Sequence, residues 1–102
     1  MKNLSPAEVH NLLAAGKICL IDVREDGEYA DERIAGAVLC PLSSFDPKHL
    51  PDAGSKPVVF HCAGGVRSVR AVDACLRAGL PHNAHMAGGL SAWKAAGLPT
   101  LR

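Results

Sequence analysis

Short continuous apolar runs alternate with stretches whose apolar residues fall three and four apart, the pattern of buried strands separated by amphipathic helices. Ser5-Pro6-Ala7-Glu8 reads as a helix start: Ser5 can cap, Pro6 suits the first helical position and Glu8 can bond back to the cap. Val9, Leu12 and Leu13 then form one stripe, and Gly16 ends it. Residues 18–23 are a continuous apolar run closed by charge at Asp22, Arg24, Glu25 and Asp26, as expected of a strand covered on both faces. A short helix is expected over 28–33, a turn at Ile34-Ala35-Gly36 and a second buried strand over 37–40 before Pro41. The polar, proline-containing stretch 43–56 has room for one short helix near 45–50.

The next strand is expected over 57–61. It is followed by a helix over 67–78, with Val69, Val72 and Leu76 on one face and Arg70, Asp73 and Arg77 on the other, ending at Gly79. Residues 84–86 suit a short strand, and 90–96 a last helix carrying Trp93 and stopped by Gly97 before Pro99. Such alternation predicts an α/β domain with a mainly parallel sheet and helices on both faces. Ligands of such sheets sit beyond the carboxyl ends of the strands, which directs attention to the loop after residue 61.

Composition narrows the possibilities. The 102 residues, 48% of them hydrophobic, suit one compact domain over 1–102. A net charge of +1 gives no overall field that would draw the protein to nucleic acid or anionic lipid, so any anion site must be local. No segment has the apolar stretch of a signal peptide or the roughly 20 apolar residues of a membrane span, and a soluble, cytoplasmic protein is expected. Cys19, Cys40, Cys62 and Cys75 form no C-x-x-C pair, which points to reduced thiols rather than a zinc site or a disulfide framework.

The most distinctive segment is His61-Cys62-Ala63-Gly64-Gly65-Val66-Arg67-Ser68, between an apolar strand and the clearest helix. Its two glycines allow successive N–H groups to turn inward, and the following helix adds the partial positive charge of its N-terminus. Cys62 opens this cradle, where its thiolate would be stabilised and its pKa lowered. Free cysteines are more often buried apolar side chains, and the other three sit in apolar patterns that fit such a role. Arg67 is a cation in the first turn of a helix, opposing the dipole, which an anionic ligand would explain. His61 adjoins Cys62, but adjacent strand residues point to opposite faces, so a structural role is expected. His82 and His85 have the spacing of some metal pairs without a third ligand nearby, and no metal is expected. Asp22 could hydrogen-bond the loop backbone from the neighbouring strand end; alternatively Asp22 and Glu28 form structural ion pairs with Arg24 or Arg33.

Three blocks, in order, resemble the rhodanese homology domain from Leu20 to Thr100. The first is Leu20-Ile21-Asp22-Val23-Arg24 with Glu28-Tyr29 and Ile34-Ala35-Gly36-Ala37, the second is the loop His61 to Ser68, and the third is Gly88-Gly89-Leu90-Ser91-Ala92-Trp93 through Ala96-Gly97-Leu98-Pro99. The resemblance implies a five-stranded parallel sheet flanked by helices. It implies a Cys62 persulfide, a substrate cradle of Ala63, Gly64, Gly65, Val66, Arg67 and Ser68 with Arg67 on the substrate anion, and no metal or organic cofactor. It further implies sulfur transfer from thiosulfate, a persulfide or a polysulfide to cyanide or to a thiol or protein acceptor. Some thiosulfate-using members place further cations around the cysteine, whereas Ala63 to Val66 are uncharged. Dual-specificity cell-cycle phosphatases share the fold, but their loop is one residue longer between cysteine and arginine than the four here. Non-catalytic binding modules of this type commonly lack the cysteine.

Overall fold

Strands β2 (Cys19–Asp22) and β4 (Val58–His61) form the centre of the sheet because both faces of each are apolar. Leu20 and Val59 look to one side, Ile21 and Phe60 to the other, and all four are at most 1% exposed. Fully burying such a side chain is worth about 1.5–3 kcal/mol, so these two strands anchor the rest. The computed structural model describes all 102 residues. Around the central pair lie β1 (Lys2–Leu4), β3 (Val38–Leu39) and β5 (Ala84–Met86), giving the order β1-β5-β4-β2-β3 with every neighbour parallel.

Helices α1 (Pro6–Ala14) and α4 (Gly89–Ala95) cover the Leu20 and Val59 side, where Val9, Trp93, Ile34 and Met86 complete one core. Helix α3 (Val66–Arg77) covers the Ile21 and Phe60 side with Ala71, Val72 and Cys75. The short α2 (Asp26–Asp31) follows β2. This is the expected five-stranded α/β domain with helices on both faces. Its first helix begins as the sequence predicts, with Glu8 N–H donating to Ser5 Oγ at 3.1 Å and Ser5 N–H donating to Glu8 Oε1 at 3.0 Å.

Four details differ from the sequence pattern. Strand β1 lacks an apolar run; it exists because β5 offers an edge on which Lys2, Asn3 and Leu4 pair with Ala84, His85 and Met86. Strand β3 is a two-residue edge rather than a buried strand, with Val38 exposed and only the preceding Ala37 buried. In place of one short helix near 45–50, residues 42–49 form two single 3-10 turns, Leu42–Ser44 and Pro47–His49, and Phe45 and Leu50 join the α3-side core. Helix α3 is rotated from its expected phase: Val69 and Leu76 face solvent, while Ser68, Ala71, Val72 and Cys75 are buried. Small side chains let the helix approach the sheet closely, and this rotation turns Ser68 toward the end of β4.

Candidate active site

Cys62 is the first residue beyond β4, and only Ala63, Gly64 and Gly65 separate it from α3. Gly65 turns the chain with φ of +98°, and a side chain there would press on the Gly88 backbone nitrogen at 3.1 Å. The turn directs backbone donors at the sulfur: Gly65 N–H reaches Cys62 Sγ at 3.1 Å and Ser68 N–H at 3.3 Å. The Ser68 hydroxyl lies 3.5 Å from the same sulfur. Burial raises the thiol pKa, yet the Ser68 hydroxyl and the N–H groups of Ser68, Gly65 and Gly64 outweigh it and hold Cys62 below the ordinary thiol range. The other cysteines go the opposite way. Burial pushes Cys19 and Cys40 up, and it carries Cys75 to about 11. All four thiols are free.

Arg67 does not point into open solvent. Its Nη1 and Nη2 donate to Glu28 Oε1 and Oε2 at 2.6 and 2.9 Å, a bidentate pair joining α3 to α2. The guanidinium holds the Glu28 carboxyl at about 2, and Glu28 also accepts the Glu25 N–H at 3.0 Å. The partner of Glu28 is thus Arg67, not Arg24 or Arg33.

Asp22 has another role. Its carboxylate accepts from the Arg24 backbone N–H at 3.0 Å and from Arg24 Nη2 at 2.8 Å, and Arg24 continues to the Glu32 carbonyl at 2.7 Å. Of the two readings of Asp22, the ion pair with Arg24 is the one formed: Arg24 folds back over the strand end and takes both carboxylate oxygens, and Asp22 makes no bond to the loop backbone. His61, fully buried, lies with Nδ1 3.3 Å from the Cys62 carbonyl oxygen and Nε2 3.5 Å from Asp22 Oδ2, and neither ring nitrogen hydrogen-bonds the sulfur.

Two parts of the site escape a local reading of the sequence. The pair Gly88-Gly89 lets the start of α4 touch the loop: Leu90 N–H donates to the Cys62 carbonyl at 2.8 Å and Ser91 N–H to the Ala63 carbonyl at 3.0 Å. A Cβ on Gly89 would collide with the Cys62 carbonyl oxygen and the Ala63 backbone. The second is His85, whose Nδ1 is 2.8 Å from Ser68 Oγ and whose Nε2 is 2.7 Å from Asn3 Oδ1. His85 therefore belongs to the cysteine's surroundings and does not converge with His82. Among the loop side chains, Val66 is 67% exposed and lies outside the ring of donors.

The family model of the rhodanese-like domain matches residues 5–96. The chain belongs to that family. A curated relative from Synechocystis, an uncharacterized protein, is 38% identical over 99 residues, covering 97% of this chain and 55% of that protein. The chain thus spans about half of that relative's length. The chloroplastic thiosulfate sulfurtransferase 16 of Arabidopsis thaliana is 32% identical over 110 residues, covering 96% of this chain and 91% of that one. Among solved structures, a rhodanese-related protein from Thermoplasma volcanium superposes with a TM-score of 0.84 at 26% identity, covering 99% of this chain and 98% of the other. No helix is long and apolar enough to cross a membrane.

Proposed function

We propose that this rhodanese-like protein is a sulfurtransferase that carries sulfane sulfur as a persulfide on Cys62. The Cys62 thiolate attacks the outer sulfur of thiosulfate, a persulfide or a polysulfide; the donor's S–S bond breaks and its remainder leaves with the bonding electron pair, as sulfite in the case of thiosulfate. A nucleophile, cyanide or a thiol, then attacks the outer sulfur of the persulfide and Cys62 departs as thiolate. No metal or organic cofactor takes part.

The observation that carries this reading is the set of donors turned on Cys62 Sγ from Gly65 and Ser68. Those N–H groups stabilise the attacking thiolate and then the negative charge of the persulfide. Arg67 meets the donor anion, which must share the guanidinium with Glu28. The kinship with a thiosulfate sulfurtransferase over nearly its whole length supports the same reaction class. The four-residue spacing between Cys62 and Arg67 encloses one sulfur atom closely and argues against a phosphoryl group.

Intact-protein mass spectrometry tests the reading. Incubation with thiosulfate or a polysulfide is expected to add one sulfur to the wild type and none to Cys62→Ser, and cyanide is expected to remove it. A wild-type chain that stays unmodified by every sulfur donor, or one that is modified by an aryl phosphate instead, would overturn it.

A further inference from the structure

A line of hydrogen-bonding groups runs from the reactive sulfur to the edge of the sheet. Cys62 Sγ lies 3.5 Å from Ser68 Oγ, Ser68 Oγ lies 2.8 Å from His85 Nδ1, and His85 Nε2 lies 2.7 Å from Asn3 Oδ1. Three elements supply it: α3 brings Ser68, β5 brings His85, and β1 brings Asn3 directly opposite His85 in register. Ser68 is fully buried and His85 is 4% exposed, while Asn3 is exposed.

The chain has a direction. Asn3 Oδ1 can only accept, so the proton of neutral His85 sits on Nε2 and its Nδ1 carries a lone pair. That lone pair takes the Ser68 hydroxyl proton, which leaves the Ser68 oxygen free to accept the Cys62 S–H. We propose that His85 is a positioning residue for the sulfur-transfer reaction, which takes up the Cys62 thiol proton by way of Ser68 while Asn3 holds its ring. The inference rests on the sulfurtransferase reading for its purpose, although the relay itself concerns only the thiol.

The proton balance is complete. The S–H bond breaks and its proton goes to Ser68 Oγ, while the hydroxyl's own proton moves to His85 Nδ1; thiol and neutral imidazole become thiolate and imidazolium. The two hydrogen bonds between the sulfur and the imidazole then reverse. His85 Nδ1–H donates to Ser68 Oγ, and the Ser68 hydroxyl donates to the thiolate, which is the arrangement that stabilises it. His85 Nε2–H continues to donate to Asn3.

Burial holds the His85 pKa below the ordinary imidazole value, which keeps the ring neutral and its Nδ1 lone pair free at neutral pH; the imidazolium is formed only with the Cys62 thiolate as its counter-charge across Ser68. The groups around it are Asn3 from β1, Phe60 in register from β4 and Ser68 from α3. Arg67, next to Ser68, is turned to Glu28, and the titratable group that His85 reaches is Cys62, through Ser68.

The experiment uses the full chain with His85→Gln, whose amide oxygen can still accept from Ser68 but takes up no proton. Iodoacetamide alkylation of Cys62 is measured against pH, together with kcat/KM for thiosulfate and cyanide. Wild-type alkylation should follow two linked titrations, and the variant should follow one. For sulfur transfer, the variant should lose about tenfold or more near neutral pH, and the gap should close in alkali, where the thiol ionises unaided. A variant-to-wild-type ratio constant across pH, with identical alkylation profiles, would show a merely structural histidine and overturn the proposal. Asn3→Asp, at an exposed position, provides a second arm: a carboxylate on Nε2 should raise the imidazole pKa and move the acid limb to higher pH, and an unmoved limb would equally overturn it. Alkylation needs no sulfur donor, so linked titrations in a protein that transfers no sulfur would sustain the relay while refuting the sulfurtransferase reading.

Discussion

Arg67 is held by Glu28 through two parallel bonds of 2.6 and 2.9 Å, so the one cation of the cysteine loop is already paired before a donor anion arrives. The carboxylate orients the guanidinium and at the same time weakens its attraction for a second anion. Replacing Glu28 by Gln should therefore lower KM for the dianion thiosulfate by about threefold to tenfold at low salt, with less effect at high salt. Arg67→Ala should raise it, and should affect thiosulfate more than a less charged persulfide donor. Steady-state kinetics at two ionic strengths decide this; a KM that is unchanged or higher in Glu28→Gln would mean that the carboxylate does not compete with the donor.

The same pair has a consequence for acid stability. The folded-state pKa of Glu28, about 2, lies below the ordinary 4.5, so the pair contributes fully above pH 4.5 and its contribution is lost as pH falls toward 2. Wild type should then be more stable than Glu28→Gln at neutral pH, and the difference should shrink across that acid window. Urea midpoints measured at a series of pH values test it. A difference that grows on acidification would have the wrong sign for this ion pair. Both groups are partly exposed, so the effect should be modest and reduced by salt.

Only one of the four cysteines has its thiol shifted toward the thiolate; the other three are shifted away from it. Accordingly Cys62→Ser should abolish sulfur transfer to cyanide, whereas Cys19→Ser, Cys40→Ser and Cys75→Ser should keep it. Cys75→Ser places a hydroxyl in the α3-side core and should lower the thermal midpoint without lowering kcat. Loss of persulfide formation in a folded variant of any of these three would show that a second sulfur relay passes through that position.

What the sequence made legible was whatever lies close together along the chain. The Ser5 and Glu8 capping box spans three residues, and the Cys62 loop carries its own glycines and helix start, so both are readable locally. The Glu28 to Arg67 pair spans 39 residues and the Asn3 to His85 contact spans 82; neither leaves a periodic signal. Recognising the second requires β1, a strand without an apolar run that exists only as a partner for β5. The phase of α3 departs from its apolar pattern for a different reason. Val69 and Leu76 are more apolar than Ser68 and Ala71, but close packing on the sheet selects size over hydropathy, and the small residues go inside.

The contact between α4 and the loop yields a prediction about geometry rather than charge. Gly89 adopts φ of +59°, and an added Cβ would lie 2.6 and 2.7 Å from the Ala63 carbonyl carbon and oxygen, besides striking the Cys62 carbonyl. None of these is a flexible side-chain end, so Gly89→Ala must displace either the loop or the first turn of α4. The bonds from Leu90 and Ser91 to the Cys62 and Ala63 carbonyls would lengthen, and the Gly65 and Ser68 donors would lose their aim at Sγ. A misplacement of about 1 Å costs on the order of a hundredfold in rate when preorganised donors do the work. The variant should therefore lose about that much kcat/KM, its thiol pKa should rise toward the ordinary value, and its thermal midpoint should fall. Gly27→Ala is the control: its Cβ meets nothing within 4 Å, φ is not positive, and the residue lies in α2. It should keep activity and gain a few tenths to about 1 kcal/mol of stability. If Gly89→Ala folded with a wild-type thiol pKa and kcat/KM, the approach of α4 would not be what shapes the cysteine cradle.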